Sequence, residues 1–581
     1  MGPALSSNSS SATAYGREQC VHRDYGHGST VCVCDENHCD NLDPIVVTAN
    51  GVVTVYETSQ LGGHRLDKTE LRFGDPSNGR TGRSQTIIVD KAKETYQQIL
   101  GFGGAFTDSA GLNIRSLPAG LQERLIGDYF ADTGIEYTFG RIPIGGADFS
   151  TRAYTYDDNN NVFDFELNNW KLEQDDFDYK IPFIKSALKA SSNKLQLIAS
   201  TWSPPAWLKD NGKLVGGYLI GAPGGQHYKT YANYIVKFLD AYKAQGIPIW
   251  GLTVVNEPLN SKDPNWRFNC LGFTPETQRD FIKLDLGPAL QRAGYGLNST
   301  HLMIYDDNFR QLYDWARVIY GDREAAQYVS GAAFHWYQNQ NYSEVIEVLD
   351  KTRAIGADKF MLNTEGCEEW AGLTEHVQLG SWHSFERYVN DIMIDLNHWS
   401  AGWVDWNLAL DPTGGPNWAK NFVDAPIIVN AVKREYYKQP VYYALGHFSK
   451  FLTPGSKRMH KTHNKQLAAD LQSTAFVRPD GGTVVIALNT GDQPIDLTSM
   501  LPMLQHAWNM LPKTAVNMCN HAYTEASLIT IGSADEQAFL TKLLSNYSTN
   551  ADRVWINRPN TDNYGNVYNN YVDNTHYDYR D

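Results

Sequence analysis

The sequence predicts an α/β fold: a (β/α)8 barrel of the TIM kind, accompanied by a β-sandwich built from strands at both ends of the chain. Three observations predict it. Eight short apolar runs alternate with amphipathic stretches between residues 96 and 410, which is the pattern of parallel βα units. Strand-and-turn patterns flank that region on both sides. Acidic and aromatic residues gather where the apolar runs end, the place where barrels of this kind build their sites.

The elements follow in chain order. Residues 1–19 are small and polar and read as disordered. Four of the seven Cys (Cys20, Cys32, Cys34 and Cys39) then fall in one short stretch. Their spacing suits a metal knuckle or two local disulfides. The absence of a C-x2-C pair favours disulfides, hence an oxidising compartment. Residues 20–90 make a disulfide-bonded β segment, with strands at VVTVYET (52–58) and TIIVD (86–90).

Residues 91–450 make the barrel. Its strands are expected at 96–102, 137–144, 195–200, 249–255, 301–307, 332–337, 359–365 and 402–410. Helices are expected between them, for example over 228–246 and 274–294. The second opens on Thr274-Pro275-Glu276 and stops at Gly294, a good start and a good end. GFGGAF (101–106) has the look of a phosphate-binding turn, but its third Gly is misplaced and no acidic residue follows at a second strand end. Residues 451–505 return to strands, with TAFVRP (474–479) and TVVIALN (483–489) joined at Asp480-Gly481-Gly482. These are expected to pair with the N-terminal strands.

Composition excludes several classes. The chain has 581 residues, enough to bury a large core. Its net charge is −15, which argues against nucleic acid as a partner. Protonating all 16 His would bring the charge close to zero, which fits an acidic compartment. No apolar run approaches the length of a spanning helix. No apolar leader is visible at the N-terminus, so a leader is taken as removed or missing from this sequence. Sequons at Asn8, Asn298, Asn341 and Asn546 are compatible with secretion. The 15 Trp and 33 Tyr suit sugar stacking, and equally a large core.

The strand ends carry the chemistry. In order they present Asp108, Arg141, Trp202, Asn256 and Glu257, Asp306 and Asp307, His335 with Trp336 and Tyr337, Glu365, and then Trp403, Asp405, Trp406 and Asn407. There is no His/Cys metal set and no Ser-His-Asp order. Two Glu, one after the fourth strand and one after the seventh, suit glycoside cleavage. One carboxyl protonates the leaving oxygen and the other attacks the anomeric carbon.

Those residues sit in long motifs: GFGGAFTDSA (101–110), RIPIGGADFSTRAYTY (141–156), TWSPPAWLKDNG (201–212), VVNEP (254–258), FHWY (334–337), NTEGC (363–367) and GWVDWNLALDPTGGPNW (402–418). With these, the chain from about 17 to 500 resembles the retaining glycoside hydrolases of family 30, in their branch of lysosomal β-glucosidases. The resemblance implies Glu257 as acid/base and Glu365 as nucleophile. It implies that Asp108, Trp202 and Trp382 line the glucose pocket, with Asn256 placed for the sugar 2-hydroxyl. Tyr337 would hydrogen-bond the nucleophile and Phe268 would wall the mouth. It implies disulfides Cys20–Cys32 and Cys34–Cys39, with Cys270 and Cys367 as free thiols beside the site. A retaining mechanism requires the two carboxyl groups about 5 Å apart.

The substrate implied is glucosylceramide or a related β-glucoside, with no metal and no organic cofactor. Partners implied are a lipid-presenting activator protein and an anionic lipid surface, in a lysosomal or secreted setting. Two rivals stand beside this reading: a family 30 hydrolase of another β-linked glycan, and a non-catalytic, sugar-binding relic of a fusion. After residue 500 the chain departs from the family, and the last sandwich strands are not recognisable. Residues 513–581 instead resemble the first half of a C-type lectin domain. The resembling features are a helix end at Ala515-x3-Cys519, a turn at Ala526-Ser527-Leu528 and a helix at Glu536–Leu540. The calcium-binding half is absent, Cys519 is expected unpaired, and 557–581 are expected disordered.

Overall fold

The computed structural model describes residues 17–46, 51–72, 83–90, 93, 95–158, 162–369, 374–463 and 468–501, and beyond these only strand backbone between 504 and 572. The expected disordered start (1–16), the lectin-like turn at 526–528, the lectin-like helix at 536–540 and most of 557–581 lie outside the described residues.

Eight parallel strands close into a barrel: Gly101–Ala105, Phe139–Ile144, Gln196–Thr201, Gly251–Thr253, His301–Asn308, Gly331–His335, Phe360–Glu365 and Ser400–Asn407. The eighth pairs with the first. Their inward apolar side chains (Phe139, Ile198, Met303, Ala333, Leu362 and Val404) fill the bore, so it is a packed core.

The first strand differs from expectation. It is the glycine-rich segment that resembled a phosphate turn. Of the residues expected in it, 96–102, only 101 and 102 belong to it; 96–98 lie in Thr95–Gln98, which pairs instead with Lys457–Met459 in the sandwich. The reason is steric. A Cβ on Gly103 would stand 2.0 Å from the Phe139 carbonyl oxygen, so the neighbouring strand can close only on glycine.

The helices form where their caps direct. Gln226–Ala244 covers the first expected helix. Thr274 caps the second: its hydroxyl accepts from Thr277 N–H, and the Thr277 hydroxyl accepts from Thr274 N–H in return. That helix runs Pro275–Phe281, widens to a π-type turn at Ile282–Leu286 ahead of Pro288, and ends at Arg292. Gly294, at φ +83°, terminates it. Among the described residues no helix is long and apolar enough to cross a membrane.

Beside the barrel, a seven-stranded sheet runs Asp67–Arg72, Val52–Ser59, Thr514–Asn520, Thr483–Asn489, Leu471–Val477, Lys457–Met459, Thr95–Gln98. A four-stranded sheet runs Lys461–His463, Ser84–Val89, Ile495–Leu501, Leu504–Met510. Val53, Val55, Ile87, Val89, Val485 and Leu497 are buried in one cluster with residues from both sheets. N- and C-terminal strands therefore do share a sandwich. It is not cut short at 505. Thr514–Asn520, where a lectin-like helix end was expected, is a strand pairing with both Val52–Ser59 and Thr483–Asn489. Without it both would be open edges.

The N-terminal Cys segment does not join the sandwich. His22–Asp24 and Thr30–Cys34 extend the pair Ile427–Asn430 and Glu435–Lys438. Disulfides link Cys20 to Cys32 and Cys34 to Cys39. Residues 522–581 form a separate unit. Within it, Ile529–Thr530, Val554–Asn557 and Tyr571–Val572 make a small sheet, and Asn560–Thr561 pairs with Val567–Tyr568.

Candidate active site

A cavity of about 680 Å³ opens at the C-terminal ends of the barrel strands. Glu257, Glu365, Asn256, Trp202, Phe268, Tyr337 and Cys367 line it. A second hollow of about 590 Å³ lies at the opposite end, around Trp250, His301 and Phe360, and carries no facing pair of carboxylates.

Glu257 follows the short fourth strand and Glu365 ends the seventh. Carboxyl oxygens of Glu257 and Glu365 and a ring nitrogen of His335 lie within 4.8 Å of one another. Arg141, fully buried on the second strand, ties the site together. It donates to Glu365, to Asn256 Oδ1 at 2.7 Å and to Asp306 Oδ2 at 3.0 Å. Its guanidinium lies 5.0 Å from the ring of Trp202 and 5.4 Å from that of Trp406, and these two rings stack on each other at 5.1 Å. Tyr337 donates its hydroxyl to Glu365 Oε1 at 3.0 Å and touches Cys367 Sγ at 3.2 Å.

The charges follow from this packing. Burial works against a charged His335, but Glu365, Asp306 and Glu257 outweigh it and raise the imidazole to about 10. Burial would likewise raise Asp306; Arg141 and His335 overcome it and hold that carboxyl well below its usual range. Burial raises Glu365 and the nearby Glu257 adds to that, while the cations of His335 and Arg141 pull toward the ionised form. The net arrangement is two facing carboxyls served by two buried cations, a setting for one carboxyl that attacks and one that carries a proton.

The backbone is left-handed at three non-glycine residues of the site. Tyr305 (φ +74°) and Asp306 (φ +69°) are left-handed where the fifth strand skips a register step. Glu257 itself has φ +44°, and its N–H donates to the Asp306 carbonyl at 2.8 Å. Gln278 Oε1 pins the bulge, accepting from Tyr305 N–H at 3.1 Å and from the Trp315 indole at 2.8 Å. Such strain survives only where the surroundings over-determine it, and it is typical of active sites.

Two expected wall residues lie elsewhere. Asp108 begins the helix Asp108–Arg115, away from the cavity. It accepts from Ser150 Oγ at 2.6 Å and from the Tyr154 hydroxyl at 2.9 Å, with Lys180 Nζ 3.4 Å away. Trp382 begins the helix Trp382–Asn397, stacks on Phe385 at 4.2 Å and donates to Glu386. Cys270 sits behind the wall, its sulfur 3.3 Å from Gly216 N–H.

In their places stand Asp148, on the loop after the second strand, and Trp406. Asp148 Oδ2 accepts from Asn417 Nδ2 at 3.0 Å and from Asn421 Nδ2 at 3.1 Å, and burial raises its carboxyl to about 7. The signal for Asp148 lies in the stretch RIPIGGADFS, where the residue singled out, Arg141, sits within the second strand three residues before its end. Trp406 stood among four strand-eight candidates, and nothing local distinguished it. As a metal set, Glu257, His335 and Glu365 could converge on one ion. Both ring nitrogens of His335 already face carboxylates, and an ion would have to displace its proton.

Comparison with known proteins agrees with this geometry. The model of the glycosyl hydrolase family 30 TIM-barrel domain matches residues 99–452, and that of the family 30 β-sandwich domain matches 455–500. The chain belongs to glycoside hydrolase family 30. It is 42% identical over 492 residues to the lysosomal acid glucosylceramidase of Mus musculus, covering 84% of this chain and 93% of that one. It is also 42% identical to putative glucosylceramidase 4 of Caenorhabditis elegans, covering 81% of this chain and 88% of that one. Among solved structures, SrfJ from Salmonella typhimurium aligns with a TM-score of 0.72 at 26% identity, over 81% of this chain and all of that one. The endo-β1,6-glucanase BT3312 aligns with a TM-score of 0.71 at 26% identity, over 82% of this chain and all of that one. In this family 30 chain the sandwich match ends at 500, and the strand Thr514–Asn520 lies beyond it.

Proposed function

We propose that this chain is a glucosylceramidase, a retaining β-glucosidase that hydrolyses glucosylceramide. The observation that carries the mechanism is that an oxygen of the Glu257 carboxyl and an oxygen of the Glu365 carboxyl lie within 4.8 Å of one another. That spacing suits double displacement, whereas inversion needs room for a water between them. Glu365 attacks the anomeric carbon while Glu257 gives its proton to the glycosidic oxygen, releasing ceramide and leaving glucose bound to Glu365. Glu257 then takes a proton from water, which attacks the same carbon and frees glucose with its configuration retained. Tyr337, Arg141 and His335 orient Glu365 and hold its charge. Asp148 accepts from sugar hydroxyls, and Trp202 and Trp406 give the pocket its aromatic floor.

The glucosylceramide assignment is supported by the names of the mouse and nematode relatives. Trp266 and Phe268, paired at 4.7 Å on the rim, offer apolar contact to a lipid aglycone. An acidic, oxidising compartment, the lysosome or the secretory route to it, is supported by the two disulfides and by the mouse relative's name. A substrate seated in a bilayer accounts for an anionic lipid surface and a lipid-presenting activator as partners.

The test is hydrolysis of glucosylceramide in anionic vesicles at about pH 5, comparing the native chain with Glu365→Gln and following the product anomer by NMR. Turnover giving β-glucose first, lost in the variant, is the expected result. α-Glucose as first product would overturn retention. Preference for β-1,6-linked glucan over glucosylceramide would move the substrate to that of the glucanase relatives.

A further inference from the structure

The turn after Glu257 folds back onto its carboxyl. Leu259 N–H donates to Asp307 Oδ2 at 3.0 Å, which fixes the turn to the fifth strand. Asn260 N–H donates to the Glu257 carbonyl at 3.1 Å. Asn260 Nδ2 then donates to Glu257 Oε2 at 2.6 Å, while His335 Nδ1 stands 3.3 Å from Oε1. Each carboxyl oxygen thus meets one protein group, and the side chain is held from two sides. Asn260 itself is half-buried and lines the cavity.

We infer that Asn260 is a positioning residue for the proton-transfer steps: its amide fixes the orientation of the Glu257 carboxyl and sets how readily that carboxyl releases its proton. The inference rests on the reading of Glu257 as the acid/base. An amide N–H bonds a carboxylate more strongly than a carboxylic acid, so it favours proton release. It also removes a rotational freedom that the carboxyl would otherwise lose on reaching the transition state.

The other groups facing Glu257 come from separate elements. His335 lies on the sixth strand, Asp306 and Asp307 on the fifth, and Glu365 and Glu369 on and after the seventh. Asp148, Tyr305 and Cys270 are within electrostatic reach. Lys262 and Asp263 follow Asn260 in its own turn. All of them remain in an Asn260 variant, so a change in pH dependence reports the amide.

The experiment uses the full chain with Asn260→Ala, the near-isosteric Asn260→Asp, and Glu257→Gln as reference. Two substrates separate the roles: an alkyl β-glucoside, whose leaving group needs a proton, and 2,4-dinitrophenyl β-glucoside, whose leaving group does not. For Asn260→Ala, kcat/KM on the alkyl glucoside should fall about tenfold, against less than about threefold on the dinitrophenyl glucoside. The alkaline limb of kcat/KM should move to higher pH in Asn260→Ala, and further in Asn260→Asp, which adds a like charge. Equal losses on both substrates with an unmoved limb would overturn the inference and make Asn260 a plain wall residue. Glu257→Gln losing both substrates equally would overturn the acid/base reading beneath it. Unfolding midpoints of the variants, read alongside, separate either result from loss of fold.

Discussion

His335 and Asp306 form a buried ion pair, with Nε2 3.0 Å from Oδ1 and both side chains fully enclosed. Asp306 serves Arg141, Ser200, Thr253, Thr364 and His335 together, so it is the hub beneath both catalytic candidates. Removing His335 leaves Asp306 with Arg141 and three hydroxyl donors, so the loss is that of one charge-assisted hydrogen bond, at about 1.5–3 kcal/mol. His335→Gln should therefore lower stability by that order. It should also reduce kcat/KM by about a hundredfold or more, since Glu257 and Glu365 lose the cation between them. Denaturant unfolding and kcat/KM together check this; a variant with native stability would remove Asp306 from that position.

Stability should fall as the pH rises from 5 to 8. His335 is raised to about 10 in the folded chain, against about 6.5 unfolded. Its contribution is full below 6.5 and is lost as pH climbs through 10. Burial raises Asp148 and Asp307 to about 7, and Asp128 and Asp391 to about 6, against about 3.9 unfolded. The unfolded chain sheds those protons first, so these groups destabilise the fold progressively between pH 4 and 7. Asp306 acts in the opposite sense, but only as the pH drops below about 3.9. Thermal melts across pH should place the highest Tm at about pH 4, and a maximum above pH 7 would contradict the buried carboxyls.

Asp148 and Asp108 should behave oppositely. Asp148 faces the sugar site, and losing its carboxyl leaves a sugar hydroxyl there without a partner, at about 1–3 kcal/mol. Asp148→Ala should cost about ten- to a hundredfold in kcat/KM on β-glucosides. Asp108→Asn should spare the kinetics of the folded enzyme and lower stability by about 1–3 kcal/mol, because Lys180 loses one of its two charged partners among the described residues and keeps Asp176. Kinetics and unfolding of the two variants side by side decide between these placements.

The contrast shows what the sequence could carry. The barrel was legible because eight apolar runs kept their spacing, and Glu257 and Glu365 because each directly follows such a run. Asp148 was not, because a loop of four residues, Gly145 among them at φ +80°, turns it back over the barrel mouth, and no periodicity encodes that turn. Asp108 and Trp382 have the right residue types but sit at helix starts, outside the cavity lining. The first strand was misread because its glycines answer to the Phe139 backbone, a contact distant in sequence. Asn260 was invisible for a different reason: its partner is only three residues back, but the turn that brings them together is strained at Glu257, where no turn residue marks it.

The sandwich makes the last prediction. Thr514–Asn520 forms the central ladder between Val52–Ser59 and Thr483–Asn489, pairing along the whole of Thr483–Asn489 on one side and along Thr54–Ser59 on the other. Residues 522–581 form a unit of their own. A chain ended after His521 keeps every strand of both sandwich sheets and should fold and hydrolyse β-glucosides at the native rate. A chain ended after Leu501 loses that ladder and the hairpin strand Leu504–Met510, leaving Val52–Ser59, Thr483–Asn489 and Ile495–Leu501 each with an unpaired edge around the cluster of Val53, Val55 and Val485. It should aggregate on expression, or melt at least several degrees lower. Soluble yield and Tm of the two truncations test the assignment, and equal behaviour of both would mean that the strand contributes nothing to the sandwich.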